Sequence, residues 1–294
     1  MTEIITSLSE IADRYDAAFV DLWGCLHNGV RAYPEAVEAC RQFRARGKSI
    51  VLLTNAPRPR ADVERQIEKL GIPRDAWDTI ATSGDAARAA MFRGAVGSKV
   101  WFMGEDRDRT FFEPMKLVEN PVPIEIVPLE EAEGIVCCGP FDPHADPEVN
   151  RPQFLLAKTR GLKLLCANPD IVVDRGDTRE WCAGALAKLY EEMGGESLYF
   201  GKPHPPIYDL ARARLAEATG RAAPRDILCI GDGPATDIQG AMGEDYDSLL
   251  ITGGLLAAES GTGPAPDGQP DPEKLEAALA DDPVRPTFAM GYLR

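Results

Sequence analysis

Four short apolar runs, each of strand length and each ending on polar residues able to do chemistry, constrain this chain most. Ala17-Ala18-Phe19-Val20 ends at Asp21, and Ser49-Ile50-Val51-Leu52-Leu53 ends at Thr54-Asn55. Ile227-Leu228-Cys229-Ile230 ends at Gly231-Asp232, and Ser248-Leu249-Leu250-Ile251 ends at Thr252-Gly253-Gly254. Continuous apolar runs this short, bounded by turn residues, read as strands buried on both faces, as in a parallel sheet. Helix-length amphipathic stretches separate them. Pro34 to Arg46 carries Ala36, Val37, Cys40 and Phe43 at helical spacing, with proline at its start and Gly47 after its end. A second helix is expected from about Arg60 to Leu70, stopped by Gly71. The alternation predicts an α/β fold with a Rossmann-like three-layer core around a parallel sheet. Sheets of this kind hold their ligands just beyond the carboxyl ends of the strands, where these polar residues stand.

The middle of the chain reads as a separate α/β unit. Between about Gly84 and Ser197 lie new candidate strands, Val100–Met103, Ile135–Cys138 and Leu162–Cys166. One helix is expected before Gly161 and another from about Thr178 to Met193, where Trp181 and Tyr190 are read as packing residues. Because sheet motifs stand on both sides, residues 84–197 are expected to be inserted into a core made of 1–83 and 198–294. Gly261 to Pro270 reads as a loop, followed by a last helix from about Pro272 to Ala280.

Composition narrows the partners. A net charge of −15 argues against nucleic acid or an anionic membrane as the main partner. No apolar run approaches the ~18 residues that span a bilayer, and Met1–Thr6 lacks a basic start followed by an apolar stretch. The seven cysteines form no Cys-x-x-Cys pair and sit mostly in apolar runs, Cys137-Cys138 among them, as buried reduced thiols do. A cytoplasmic protein is expected. His27, His144 and His204 show no metal-ligand spacing, which excludes a zinc site.

Four motifs follow in order: Asp21-Leu22-Trp23-Gly24, Leu53-Thr54-Asn55, Gly201-Lys202-Pro203, and Gly231-Asp232-Gly233-Pro234-Ala235-Thr236-Asp237. Singly, each has an ordinary use as a cap, a turn or a surface loop. Together they fit phosphoryl transfer. A carboxylate nucleophile needs a cation nearby, because it must approach a phosphate dianion of like charge. Magnesium prefers oxygen ligands, which Asp21, Asp232 and Asp237 can supply. Thr54 offers a hydroxyl donor, and Lys202 a positive charge for the phosphoryl group and the nucleophile. Such a cationic point would let an acidic protein take an anionic substrate.

On these motifs the sequence resembles the haloacid dehalogenase superfamily, and within it the class IIA sugar-phosphate, nucleotide and 4-nitrophenyl phosphatases. Leu53-Thr54-Asn55-Ala56-Pro57 looks like that class's second motif, and Cys166-Ala167-Asn168-Pro169-Asp170 like a segment of its cap. The resemblance implies a magnesium-dependent hydrolase of small phosphate monoesters working through an aspartyl-phosphate. Asp21 would be nucleophile and metal ligand, joined at the metal by the Trp23 carbonyl and Asp232, with Asp237 binding directly or through water. Thr54, Asn55 and Lys202 would hold the phosphoryl group, and Asn168 and Asp170 would line the pocket from the cap, residues 84–197. A cap-mediated homodimer is permitted by the resemblance.

One residue departs from the pattern. Family phosphatases carry Asp two residues after the nucleophile, as general acid and base; here Trp23 stands there. A main-chain metal ligand survives the change, but an indole N–H is not an acid. General acid-base catalysis is worth about 10²–10⁴-fold, so slow turnover of alkyl phosphates is expected unless another group, such as His27, substitutes. Two other readings follow: a catalytically weak protein that binds a phosphometabolite for sensing or regulation, and carbon–halogen hydrolysis. The second is disfavoured by Asp232, Asp237 and the large insertion.

Overall fold

The computed structural model describes residues 2–115, 118–176, 178–280 and 283–294. It divides into two compact units. The first comprises Met1–Thr54, Glu64–Ala81 and Lys202–Arg294, the second Asn55–Val63 and Thr82–Gly201.

The first unit is built on a seven-stranded sheet: β1 (Glu3–Ile4), β2 (Ala17–Val20), β3 (Ser49–Thr54), β4 (Thr79–Thr82), β5 (Ile227–Gly231), β6 (Asp247–Ile251) and β7 (Phe288–Met290). The strand order is β1-β7-β6-β5-β2-β3-β4. Parallel pairing sets Val20 of β2 beside Ile230 of β5 on one side and Leu52 of β3 on the other. The chain first winds outward from β2 through β3 and β4, then returns to β5 on the other side of β2. Strand order therefore reverses at β2, which makes its carboxyl end the place where a crevice forms in a doubly wound sheet.

The apolar runs fold as strands because every residue of β2 can be buried. Ala17 and Phe19 pack with Val51, Leu53, Ile227 and Cys229 beneath Ile207, Tyr208, Ala211 and Leu215 of the helix Pro205–Thr219. Alternate residues, Ala18, Val20, Ile50 and Leu52, face the other way and are equally buried. The helix Pro34–Ala45 also contacts β3 and buries Ala36, Val37, Cys40 and Phe43, the residues expected from the spacing. Fully burying side chains of this size is worth about 1.5–3 kcal/mol each relative to leaving them exposed, so a one-residue slip of β2 or β3 would be expensive.

The second unit has a five-stranded sheet in the order Glu196–Tyr199, Lys163–Cys166, Gly134–Cys137, Lys99–Met103, Glu125–Ile126. All four pairs are parallel. Helices Arg151–Thr159 and Ala183–Glu192 pack their apolar sides against it, with Phe154 and Tyr190 wholly buried. Tyr190 Oη donates to the Leu162 carbonyl at 2.6 Å.

One element differs from the sequence expectation. The helix expected from Thr178 begins only at Ala183, because Thr178–Trp181 pairs antiparallel with Val172–Arg175. Cross-strand ion pairs, Arg179 with Asp174 at 2.7 Å and Arg175 with Glu180 at 2.9 Å, fix that register. Trp181 is therefore a partly exposed strand residue rather than a helix packing residue. The last helix runs Pro272–Ala278, capped by Asp271 accepting from the Glu273 and Lys274 backbone N–H groups. Among the described residues no helix is long and apolar enough to cross a membrane.

Candidate active site

Asp21 follows β2 directly, and its backbone N–H donates to the Ile230 carbonyl at 2.8 Å, carrying the ladder one residue past the strand. Asp232 stands just beyond β5. Asp237 lies on the single π-helical turn Pro234–Ile238 that follows, a deviation from α-helix often found at functional sites. Carboxylate oxygens of Asp21, Asp232 and Asp237 all lie within 4.8 Å of one another. Lys202 reaches between two of them: its Nζ donates to Asp21 Oδ1 and to Asp237 Oδ1, each at 2.6 Å. All four side chains are buried, Asp21 at 7%, Asp232 at 8%, Asp237 at 5% and Lys202 at 2% exposure.

The lack of side chains at three glycines makes room for these carboxylates. A Cβ at Gly231 would fall 2.0 Å from Asp237 Cγ, and one at Gly24 or Gly254 would fall 2.1 Å from Asp232 Oδ2. Gly24 also adopts φ +73°, open to glycine at little cost. Main-chain donors also reach two of the carboxylates: Leu255 N–H donates to Asp232 Oδ2 at 3.2 Å, and Gly233 N–H to Asp237 Oδ2 at 3.1 Å. Neither the glycines nor Leu255 were marked in the sequence as site residues. Gly253-Gly254 after a strand was the available signal.

Three carboxylates and one ammonium leave the cluster short of positive charge. Burial, and then the Asp21 and Asp237 charges, hold the Asp232 carboxyl well above the usual carboxylate range, against the pull of Lys202 and the Leu255 N–H. A buried, oxygen-only donor set with a net formal charge of −2 fits a hard divalent cation such as magnesium. The nearby Cys25 thiol is pushed far up by burial and by the same carboxylates, so it is no thiolate nucleophile.

Trp23 sits in the tight loop after β2, where Leu26 and His27 N–H groups donate to the Leu22 carbonyl and Gly24 N–H to the His27 carbonyl. Its ring is half-buried, edge-on to His27 at 4.9 Å between centroids. It also lies where a Cβ at Gly29 would fall, 2.3 Å from Trp23 Cζ3. His27 is wholly buried, and its Nδ1 accepts the Gly29 N–H at 3.0 Å. That contact places the proton of a neutral imidazole on Nε2. Thr54 closes β3 and is buried.

Asn55, Asn168 and Asp170 belong to the second unit. There Asn55 Nδ2 donates to Asp170 Oδ1 at 2.8 Å, and the Asp170 N–H to Asn168 Oδ1 at 3.0 Å. The nine expected site residues thus fall into a group of six in the first unit and a linked trio in the second. His144 is exposed, and no histidine joins a cluster of three ligating side chains among the described residues.

A family model described as haloacid dehalogenase-like hydrolase matches residues 18–117, and a second, HAD-hydrolase-like, matches 199–284. The chain is 36% identical to a haloacid dehalogenase-like hydrolase from Brucella suis 1330, covering 99% of this chain and 100% of that one at a TM-score of 0.85. It belongs to the haloacid dehalogenase-like hydrolase family. A 5'-nucleotidase of Bacillus subtilis is 24% identical over 95% of this chain and 96% of its own length. The fold is shared with glycerol phosphate phosphatase of Mycobacterium tuberculosis, solved in complex with magnesium. That protein is 22% identical, covers 95% of this chain and 75% of its own, and gives a TM-score of 0.63.

Proposed function

We propose that this hydrolase is a magnesium-dependent phosphatase of small phosphorylated metabolites that works through an aspartyl-phosphate on Asp21. The observation that carries the reading is Lys202 Nζ bridging Asp21 and Asp237 beside Asp232 in one buried cluster. Relatives with phosphatase and nucleotidase activities support the substrate class.

In this reading Asp21, Asp232 and Asp237, with the Trp23 main-chain carbonyl, hold the magnesium ion, which supplies charge neutralisation for the phosphoryl oxygens. Asp21 is then free to attack phosphorus in line through one carboxylate oxygen, forming the acyl phosphate as the phosphorus–oxygen ester bond breaks and the alcohol or phenol leaves as an oxyanion that takes its proton from solvent. Lys202 draws both Asp21 and the phosphoryl group into line and offsets their like charges. Thr54 and Asn55 hold the non-bridging oxygens. Water then attacks phosphorus, releasing phosphate and restoring the carboxylate. The second unit acts as the cap that selects the substrate.

Trp23 supplies no proton to the leaving group and accepts none from the water, so leaving groups stable as anions are the favoured substrates. The same residue supports the second reading, a phosphometabolite-binding protein of low turnover. Free, buried thiols at all seven cysteines support a reducing, cytoplasmic setting. Exposed Phe141, Val149 and Leu155 in the second unit support association of two copies, testable by light scattering.

The deciding assay uses 4-nitrophenyl phosphate and a panel of phosphorylated metabolites, with magnesium or with chelator, beside Asp21→Asn. Turnover abolished by chelator and by the substitution supports the phosphatase. Tight ester binding without turnover would favour the binding protein.

A further inference from the structure

We infer that Asp170 is a positioning residue for Asn55: it fixes the orientation of the Asn55 amide and does not itself touch the substrate. This inference rests on the phosphatase reading, in which Asn55 contacts the phosphoryl group.

An asparagine side chain has two faces of similar shape, a carbonyl and an amino group, and can present either. Something must choose. Asp170, when ionised, is an acceptor only, so it can pair with the amino group and not with the carbonyl. The 2.8 Å bond from Asn55 Nδ2 to Asp170 Oδ1 is therefore a selector of amide orientation as well as a contact. It turns Asn55 Oδ1 toward Gly201 and Ser83, where a Cβ at Gly201 would fall 2.5 Å from both Asn55 Oδ1 and Ser83 Oγ. Asn55 is almost wholly buried, at 2% exposure, so it has little room to change rotamer.

A selector must itself be fixed, and Asp170 is held from three directions. Its N–H donates to Asn168 Oδ1 at 3.0 Å, closing an Asx turn across Pro169. Its carbonyl accepts the Gly184 N–H at 3.1 Å, and the next residue's carbonyl, that of Ile171, accepts the Cys182 N–H at 2.9 Å. The start of the helix Ala183–Glu192 lies so close that a Cβ at Gly184 would fall 2.1 Å from the Pro169 carbonyl oxygen. Asn168 is anchored in turn, its carbonyl accepting from Cys166 Sγ at 3.3 Å. The network ends at chain positions next to the proposed phosphate contacts: Asn55 directly follows Thr54, and Gly201 directly precedes Lys202.

The test is a double-mutant cycle on the full chain with magnesium, using Asp170→Ala, Asn55→Ala and the double variant, with 4-nitrophenyl phosphate as substrate. Asp170→Ala is expected to lower kcat/KM by about 10–100-fold, the usual range for a supporting partner of a site residue. In the Asn55→Ala background the same change is expected to cost less than twofold, because the residue through which it acts is gone. Asp170→Asn, which keeps an acceptor but can also pair in the reverse orientation, is expected to fall between wild type and Asp170→Ala at unchanged thermal stability. Losses that multiply in the double variant would overturn the inference and make Asp170 a direct substrate contact. If Asp170→Ala fails to fold, the Asn variant decides: activity equal to wild type would likewise overturn it. A wild-type protein that hydrolyses no phosphate ester overturns the phosphatase reading instead. The four proteins are then compared by affinity for inorganic phosphate, where the same non-additivity is expected and simple additivity contradicts the inference.

Discussion

Replacing Lys202 by methionine keeps most of the buried stem and removes the ammonium, which isolates what the charge does. In the metal-free protein the cluster holds three carboxylates and one ammonium, a formal charge of −2; the substitution takes it to −3. Two ion pairs of 2.6 Å are lost among side chains all less than a tenth exposed. Removing one partner of a buried pair costs about 3–5 kcal/mol. Proton uptake by the stranded carboxylates relieves part of that, so the lower end, about 3 kcal/mol, is expected in chelator. At about 2–4 °C per kcal/mol for a domain of 150–250 residues, Tm should fall by about 6–12 °C. Magnesium compensates because it brings two positive charges to the same oxygens, so the deficit should shrink by more than half when the ion is added. Thermal and urea unfolding of wild type and Lys202→Met, each with chelator and with magnesium, gives the four numbers needed. A variant as stable as wild type in chelator, or one that magnesium does not restore, would refute the charge accounting.

Three further outcomes are expected. Trp23→Asp, which puts a carboxyl group where an indole stands, should raise kcat on alkyl phosphates relative to aryl phosphates, by up to about 10²–10⁴-fold; a fast wild type slowed by the change would contradict the missing-acid reading. Gly254→Ala, whose new Cβ would lie 2.1 Å from Asp232 Oδ2, should weaken magnesium affinity by about 10–100-fold, measured by calorimetry; unchanged affinity would remove Asp232 from the ligand set. Burial holds the His204 imidazole below its usual 6.5, favouring the neutral ring in the folded state. The unfolded chain therefore takes up the proton first as pH falls, so this contribution is fully present above about pH 6.5 and lost below it. His204→Gln should flatten the urea midpoint between about pH 5 and 7, and an unaltered profile would show that another group is responsible.

The sheet centre was legible because β2, β3, β5 and β6 are continuous apolar runs, buried on both faces, and the carboxylates follow them immediately. The edge strand Glu3–Ile4 and its neighbour Phe288–Met290 are too short for a periodicity to declare itself. Thr178–Trp181 was misread as helix because it runs into a good helix former, and its strand partner, not its own pattern, decides its state. Asp21, Lys202, Asp232 and Asp237 could be grouped by charge logic alone. The pairing of Asn55 with Asp170 could not, since the two are 115 residues apart and only tertiary structure joins them. The space-making role of Gly24, Gly231 and Gly254 was equally hidden, because a glycine declares only what it lacks.

The central claim is that Asp21 becomes phosphorylated. The direct measurement is acid quench of the magnesium-loaded protein during turnover of 4-nitrophenyl phosphate, followed by mass spectrometry of the peptide containing Asp21. A phosphoryl adduct on Asp21, absent in Asp21→Asn and accumulating because Trp23 gives the hydrolytic step no base, is the predicted result. Turnover with no adduct at Asp21, or an adduct that persists in Asp21→Asn, would contradict the account.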